Sequence, residues 1–155
     1  MIPDGAIVIM YSGLGRYYGN KTAYFGWPDF VTDPKDTKNL HFPGLAPQAA
    51  QHLVDNRKIF GVGVDTPSTD YGQAKKFQTH QILAKANIWG LENLNNVDKL
   101  PAKGFTVYNG AYKSTDGSGG PSRVIAVMSS SGASKLAPKL LISVLFCLFL
   151  PAKVA

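Results

Sequence analysis

Pro47 to Asp65, PQAAQHLVDNRKIFGVGVD, decides the fold, because it reads as a helix running into a buried strand. Pro47 suits the first helical turn, where a missing N–H costs nothing because that donor has no intrahelical acceptor. Ala49, Ala50, Leu53 and Val54 share one stripe of a helix reaching to about Asn56. Ile59 to Val64 (IFGVGV) has no polar alternation and predicts a strand buried on both faces. Its two glycines predict close backbone packing rather than a phosphate loop, since neither GxGxxG nor GxxxxGK(S/T) occurs.

Upstream, Met1 to Gly5 forms a turn, and Ala6 to Tyr11 (AIVIMY) is a second apolar run that predicts a buried strand. Strand, helix and strand in this order make an α/β unit. No basic n-region with an apolar h-region precedes the first strand, so no signal peptide is expected in this sequence. A glycine- and aromatic-rich loop, Ser12 to Trp27, and a polar connection, Pro28 to Asn39, separate strand from helix. Downstream, Thr66 to Gln73 is turn-rich and leaves the end of a strand, a common place for function. Short elements follow: a helix over Gln78 to Ala84, a strand over Asn87 to Leu91, and a helical turn over Val97 to Leu100. Phe105 to Tyr112 and Arg123 to Met128 predict strands joined by the tight connection Ser114 to Pro121 (STDGSGGP).

Composition narrows the class. The 155 residues are enough for one domain with one core, and 45% hydrophobic with 17% charged content excludes a disordered chain. The net charge is +6, and Lys135, Lys139 and Lys153 near the C-terminus supply half of it. No basic run with interleaved aromatics occurs, so nucleic acid is not the expected partner. Cys147 is the sole cysteine, which excludes an internal disulfide and a cysteine-rich zinc ribbon. It does not fix the compartment.

Residues 129–155 differ in kind from residues 1–128. Small residues (SSSGAS, Ser129 to Ser134) and a basic spacer lead to the apolar run Leu140 to Leu150 (LLISVLFCLFL). That run is short of the roughly 20 residues a bilayer-spanning helix needs. Small residues, spacer and terminal apolar segment match the signal for a GPI anchor. A short tail anchor and a buried C-terminal helix are the other readings. Membrane attachment through this tail would place the chain at the cell surface if a signal peptide preceded it, and otherwise in the cytoplasm.

His80 and Glu92 carry the chemistry. In one continuous helix, residues twelve apart would sit about 18 Å apart along the axis and could not share an ion. A chain reversal around Lys85-Ala86-Asn87 lets them converge from a helix and the strand after it. A neutral imidazole nitrogen with a carboxylate oxygen suits zinc or manganese. Taken alone, a histidine beside a short helix is more often a surface or core residue, and Glu92 reads as a cap. The other histidines, His41 and His52, read as solvent-facing. Tyr17, Tyr18, Phe25 and Trp27 admit two readings, an aromatic pocket for an aryl ring or core packing.

Three segments in order, HFPGLAPQAAQHLVDNRKIFGVGVDTPSTD (41–70), FQTHQILAKANIWGLENLNNVDKLP (77–101) and GSGGPSRVIAVM (117–128), resemble the C-terminal part of the metal-dependent cyclase family. That family includes bacterial-type kynurenine formamidases and isatin hydrolases, and the resemblance runs from about Pro3 to Met128. It implies an α/β, mixed-sheet swivelling β/β/α-type domain, here lacking its N-terminal part. It implies that His80 and Glu92 are late metal ligands, and that Asp65, Thr66, Pro67 and Ser68 form a loop supporting the site. The family's other ligands come from a motif of the form HxGTHxDxPxH, which this sequence does not contain. The expected parent is an amide hydrolase with a zinc or manganese cofactor and a small-molecule aryl amide substrate such as N-formylkynurenine or isatin. The alternative is a non-catalytic, membrane-anchored binding or assembly module. Open strand edges would favour a homo-oligomer.

Overall fold

The computed structural model describes residues 1–26 and 37–128, together with the backbone of residues 140–144. Three parallel strands form its first sheet: β1 (Ile7–Met10), β2 (Gly61–Val64) and β3 (Trp89–Leu91), with β2 in the middle. Ile7 lies opposite Gly61 and Met10 opposite Val64, while Gly61 also faces Trp89 on its other side. A short helix α1 (Lys21–Phe25) precedes the helix α2 (Pro47–Asn56) between β1 and β2. Helix α3 (Gln78–Lys85) connects β2 to β3. The predicted α/β unit is thus present twice, as β1-α2-β2 and β2-α3-β3.

Burial explains why IFGVGV reads without alternation. All four residues of β2 are buried, because the strand has a neighbour on each edge and packing on each face. Gly61 is there for space: a Cβ on it would lie 2.6 Å from the Trp89 ring. The AIVIMY run departs from expectation, since β1 is only half-buried along its length. It is an edge strand among the described residues, and an edge leaves part of each side chain in contact with solvent.

Helices α2 and α3 pack on one face of this sheet through Ala50, Leu53, Ile59, Val62, Leu83 and Ile88. Each large aliphatic chain buried there is worth about 1.5–3 kcal/mol relative to exposure. The other face meets a second, antiparallel sheet of β4 (Phe105–Ala111), β5 (Ser122–Met128) and β6 (Leu140–Val144). Leu91, Leu94, Val97 and Val124 form the core between them, joined by Ile9, Trp89 and Val107. The mixed sheet implied by the resemblance is therefore divided: parallel and antiparallel pairings lie in separate three-stranded sheets among the described residues. Parallel strands need helical crossovers, whereas the STDGSGGP turn joins β4 directly to β5.

Part of the apolar tail is strand and not helix. Leu140–Val144 pairs antiparallel with β5, Arg123 opposite Val144, and so uses an edge that β5 offers. The rest of the tail, on which the anchor readings depend, lies outside the described residues. No helix among the described residues is long and apolar enough to cross a membrane.

Candidate metal centre

The three parallel strands release their chains at the same end of the sheet, and the polar residues collect there. After β2 comes Asp65, and after β3 come Glu92 and Asn93. Helix α3 brings His80 to this end, because the chain reverses as the sequence predicts. Ala86 N–H returns to the carbonyls of Ile82 and Leu83, and Asn87 takes a left-handed φ of 57°. β3 then begins at Trp89.

His80 and Glu92 meet. The imidazole Nε2 lies 3.2 Å from Glu92 Oε1, and the Glu92 side chain is only 6% exposed. Thr69 donates its backbone N–H to the same Oε1 at 3.0 Å. On the other side of the ring, His80 Nδ1 lies 2.5 Å from Asp70 Oδ2 and 3.1 Å from Thr69 Oγ1. Asp70 also accepts the backbone N–H groups of Thr79 (2.9 Å) and His80 (3.1 Å). These are unsatisfied donors in the first turn of α3, which has no side-chain cap of its own. One buried carboxylate thus caps the helix and orients the imidazole it carries.

Electrostatics follow from that arrangement. Burial pushes the His80 imidazolium down, but hydrogen bonds to Glu92 and Asp70, reinforced by their charges, more than offset it. Its pKa therefore lies above the ordinary 6.5. With Nδ1–H held by Asp70, the Nε2 lone pair of a neutral ring faces a carboxylate oxygen. Two acceptors at that distance call for a cation or a proton between them. The donor pair fits two ligands of a divalent ion of the kind that accepts nitrogen and oxygen together. It is not a complete set, for no group of three or more His, Cys, Asp or Glu among the described residues is arranged to hold a metal.

The Asp65-Thr66-Pro67-Ser68 turn divides its work. Asp65, 1% exposed, accepts from Ser12 N (2.8 Å), Ser12 Oγ (2.7 Å) and Gly13 N (2.8 Å). It holds the loop after β1 rather than touching His80 or Glu92. The Thr66 carbonyl accepts Asn93 N–H at 2.8 Å, and its hydroxyl donates to Ser68 O. Ser68 Oγ accepts Asp70 N–H at 3.2 Å. Besides Glu92, His80 meets the next two residues, Thr69 and Asp70, to which the sequence assigns no role. Nothing local marks Asp70 as a cap, since it stands nine residues before the N–H it accepts.

The FPGL segment locks this turn from outside. Leu45 N–H donates to Thr69 O at 2.8 Å, and Gly72 N–H donates to Phe42 O at 3.0 Å. A side chain on Gly44 would overlap the backbone of Asp70 and Tyr71. Thr79 Oγ1 donates to Leu45 O at 2.7 Å, tying helix α3 to the same segment.

The aromatic residues do not act as one group. Tyr17 is 40% exposed beneath the Arg16 guanidinium, and Tyr18 is half-exposed, so neither is core. Trp27 lies outside the described residues. Tyr18 and Phe25 do line an open cleft of about 470 Å³ with Lys21, Tyr24, Pro67 and Asn93. Tyr24, which the sequence reading passed over, is the buried member at 2% exposed. Its hydroxyl donates to Asn93 Oδ1 at 2.8 Å and lies 3.3 Å from Asp65 O. Burial raises its pKa well above the ordinary 10.0, with the Asp65, Tyr18 and Glu92 charges adding to the rise. His41 and His52 are exposed, as expected.

A family model described as putative cyclase matches residues 1–71. Isatin hydrolase of Roseibium aggregatum is 33% identical over 131 residues, which cover 82% of this chain and 46% of that protein. The structure of isatin hydrolase A from Ralstonia solanacearum is similar with a TM-score of 0.72 at 30% identity, covering 83% of this chain and 48% of the other. An isatin hydrolase bound to the product analogue thioisatinate gives a TM-score of 0.70 at 32% identity, covering 81% and 46%.

Proposed function

We propose that this chain, which belongs to the cyclase family and spans about half the length of the relatives it matches, contributes His80 and Glu92 to a divalent-metal site in a hydrolase of small aryl amides. The observation that carries the reading is the facing pair, Nε2 to Oε1 at 3.2 Å, with Nδ1 engaged by Asp70. An ion held there would polarise an amide carbonyl and make water more acidic. Asp70 fixes the imidazole tautomer and ring orientation, leaving Nε2 as the ligand atom. Thr69 N–H fixes Glu92 Oε1 in place, and burial keeps bulk water from competing for it. Isatin is the substrate we favour on the strength of the isatin hydrolases the chain resembles, and N-formylkynurenine is the other substrate that the family resemblance implies. Zinc and manganese both suit the donor pair.

The donor set is incomplete among the described residues, and the sequence has no HxGTHxDxPxH motif. The incompleteness of the donor set among the described residues favours a second reading, a binding or assembly module that keeps the fold without catalysis. In that reading residues 1–128 form the module and residues 129–155 its membrane attachment.

Thermal unfolding with and without added zinc or manganese separates the two. At about 100 times Kd a bound ion stabilises by about 2.7 kcal/mol. For a domain of this size that raises Tm by roughly 5–10 °C. The metal reading expects such a rise in the native chain and its loss in His80→Ala. An unchanged Tm at millimolar metal would leave the non-catalytic module standing.

A further inference from the structure

We infer that Asn93 is a substrate-positioning residue whose side-chain NH₂ donates to the carbonyl oxygen of an aryl amide in the cleft beside Glu92, with Tyr24 setting its orientation. The substrate class rests on the aryl-amide reading above, while the donor itself rests on geometry. Asn93 follows Glu92 directly and takes a left-handed φ of 55°. Its backbone N–H is held by Thr66 O at 2.8 Å, so the main chain at this point is pinned to the turn after β2.

The side chain is pinned as well. Tyr24 Oη donates to Asn93 Oδ1 at 2.8 Å, which directs the amide oxygen at the buried phenol. The NH₂ group is then the polar end that remains, and it has no protein acceptor among the described residues. Asn93 and Tyr24 both line the cleft of about 470 Å³, together with Tyr18, Phe25 and Pro67. That volume falls within the range of small-molecule sites, which pair apolar walls with a few fixed polar groups. Tyr18 and Tyr24 stand edge to face at 5.4 Å, as do Tyr24 and Phe25 at 5.2 Å, giving a wall suited to an aryl ring. Asn93 directly follows Glu92 and Pro67 stands two residues before Thr69, so cleft and candidate metal centre are neighbours.

A fixed NH₂ beside an aromatic wall matches a planar ring bearing a carbonyl. It would orient the amide plane through a hydrogen bond to oxygen, while the ring lies against the tyrosines and Phe25. Sequence reasoning could not reach this, because Tyr24 and Asn93 are sixty-nine positions apart.

The test uses the metal-free chain, ¹⁵N-labelled, titrated with formanilide and in parallel with toluene. Formanilide is expected to shift the Asn93 side-chain NH₂ signals and the Glu92 and Asn93 backbone amides. Toluene, with a ring and no carbonyl, is expected to leave the NH₂ signals in place. Asn93→Ala should weaken formanilide about 2–10-fold, the range of one neutral hydrogen bond, and leave toluene unchanged. Tyr24→Phe should keep the folded spectrum and reduce the preference for formanilide over toluene. Static Asn93 NH₂ signals, or equal weakening of both probes by Asn93→Ala, overturn the inference. Formanilide selectivity in a chain that binds neither zinc nor manganese upholds it while defeating the metal reading. Metal binding without formanilide binding does the reverse.

Discussion

Asp70→Asn is the most searching single substitution in this structure. Asp70 is 3% exposed at its side chain and accepts three hydrogen bonds: Thr79 N–H, His80 N–H and His80 Nδ1–H. An Asn side chain keeps one carbonyl oxygen and turns an NH₂ group toward donors that had an acceptor. A hydrogen bond to a charged group contributes about 1.5–3 kcal/mol, and a buried donor left unsatisfied costs about 1–3 kcal/mol. The carboxylate also faces the positive end of α3, worth about 0.3–1 kcal/mol. Allowing for the one acceptor retained, the expected loss is about 2–4 kcal/mol in urea unfolding. Two further readouts separate orientation from stability. Imidazole ¹⁵N shifts, recorded above the His80 pKa, should show the Nδ1–H tautomer giving way to a mixture. Zinc or manganese affinity should fall about 10–100-fold, as when the outer partner of a ligating histidine is removed. A variant that loses under about 0.5 kcal/mol and keeps the Nδ1–H tautomer would refute the shared cap-and-orient role.

Two other outcomes follow from the same geometry. His80 has its folded pKa raised above the unfolded 6.5, so its contribution to stability is complete below 6.5 and is lost as pH rises through the folded value. In the metal-free chain the urea midpoint should therefore fall as pH rises from 6.5, and His80→Gln should flatten that slope. A midpoint that rises over this range would contradict the sign. Gly44→Ala should cost about 1–3 kcal/mol from overpacking against the backbone of Asp70 and Tyr71. It should also perturb the His80 signals, since the same turn holds the ring; a silent substitution would mean the FPGL segment does not lock the site.

Much of the fold was legible because its signals are local. Pro47 marked the start of α2, and the apolar stripe set its face, since helix periodicity is written within two turns. IFGVGV announced a central strand by lacking polar alternation, and its glycines announced close packing, which Trp89 fulfils. AIVIMY gave the strand but not its half-buried state, because burial depends on which neighbours a strand has. The split of parallel and antiparallel pairings into two sheets was equally out of reach, for pairing is a long-range choice.

The candidate site shows the same division. Sequence alone determined that His80 and Glu92 are separated by a reversal, and motif order pointed to the family in which the resemblance makes them candidate ligands. Their approach to 3.2 Å, and the roles of Thr69, Asp70, Tyr24 and Asn93, came only from tertiary structure. The physical reason is that these contacts close loops of nine to sixty-nine residues around three parallel strand ends. Local propensity sets each strand and helix, but only their packing brings the ends together and decides which polar groups share a buried space.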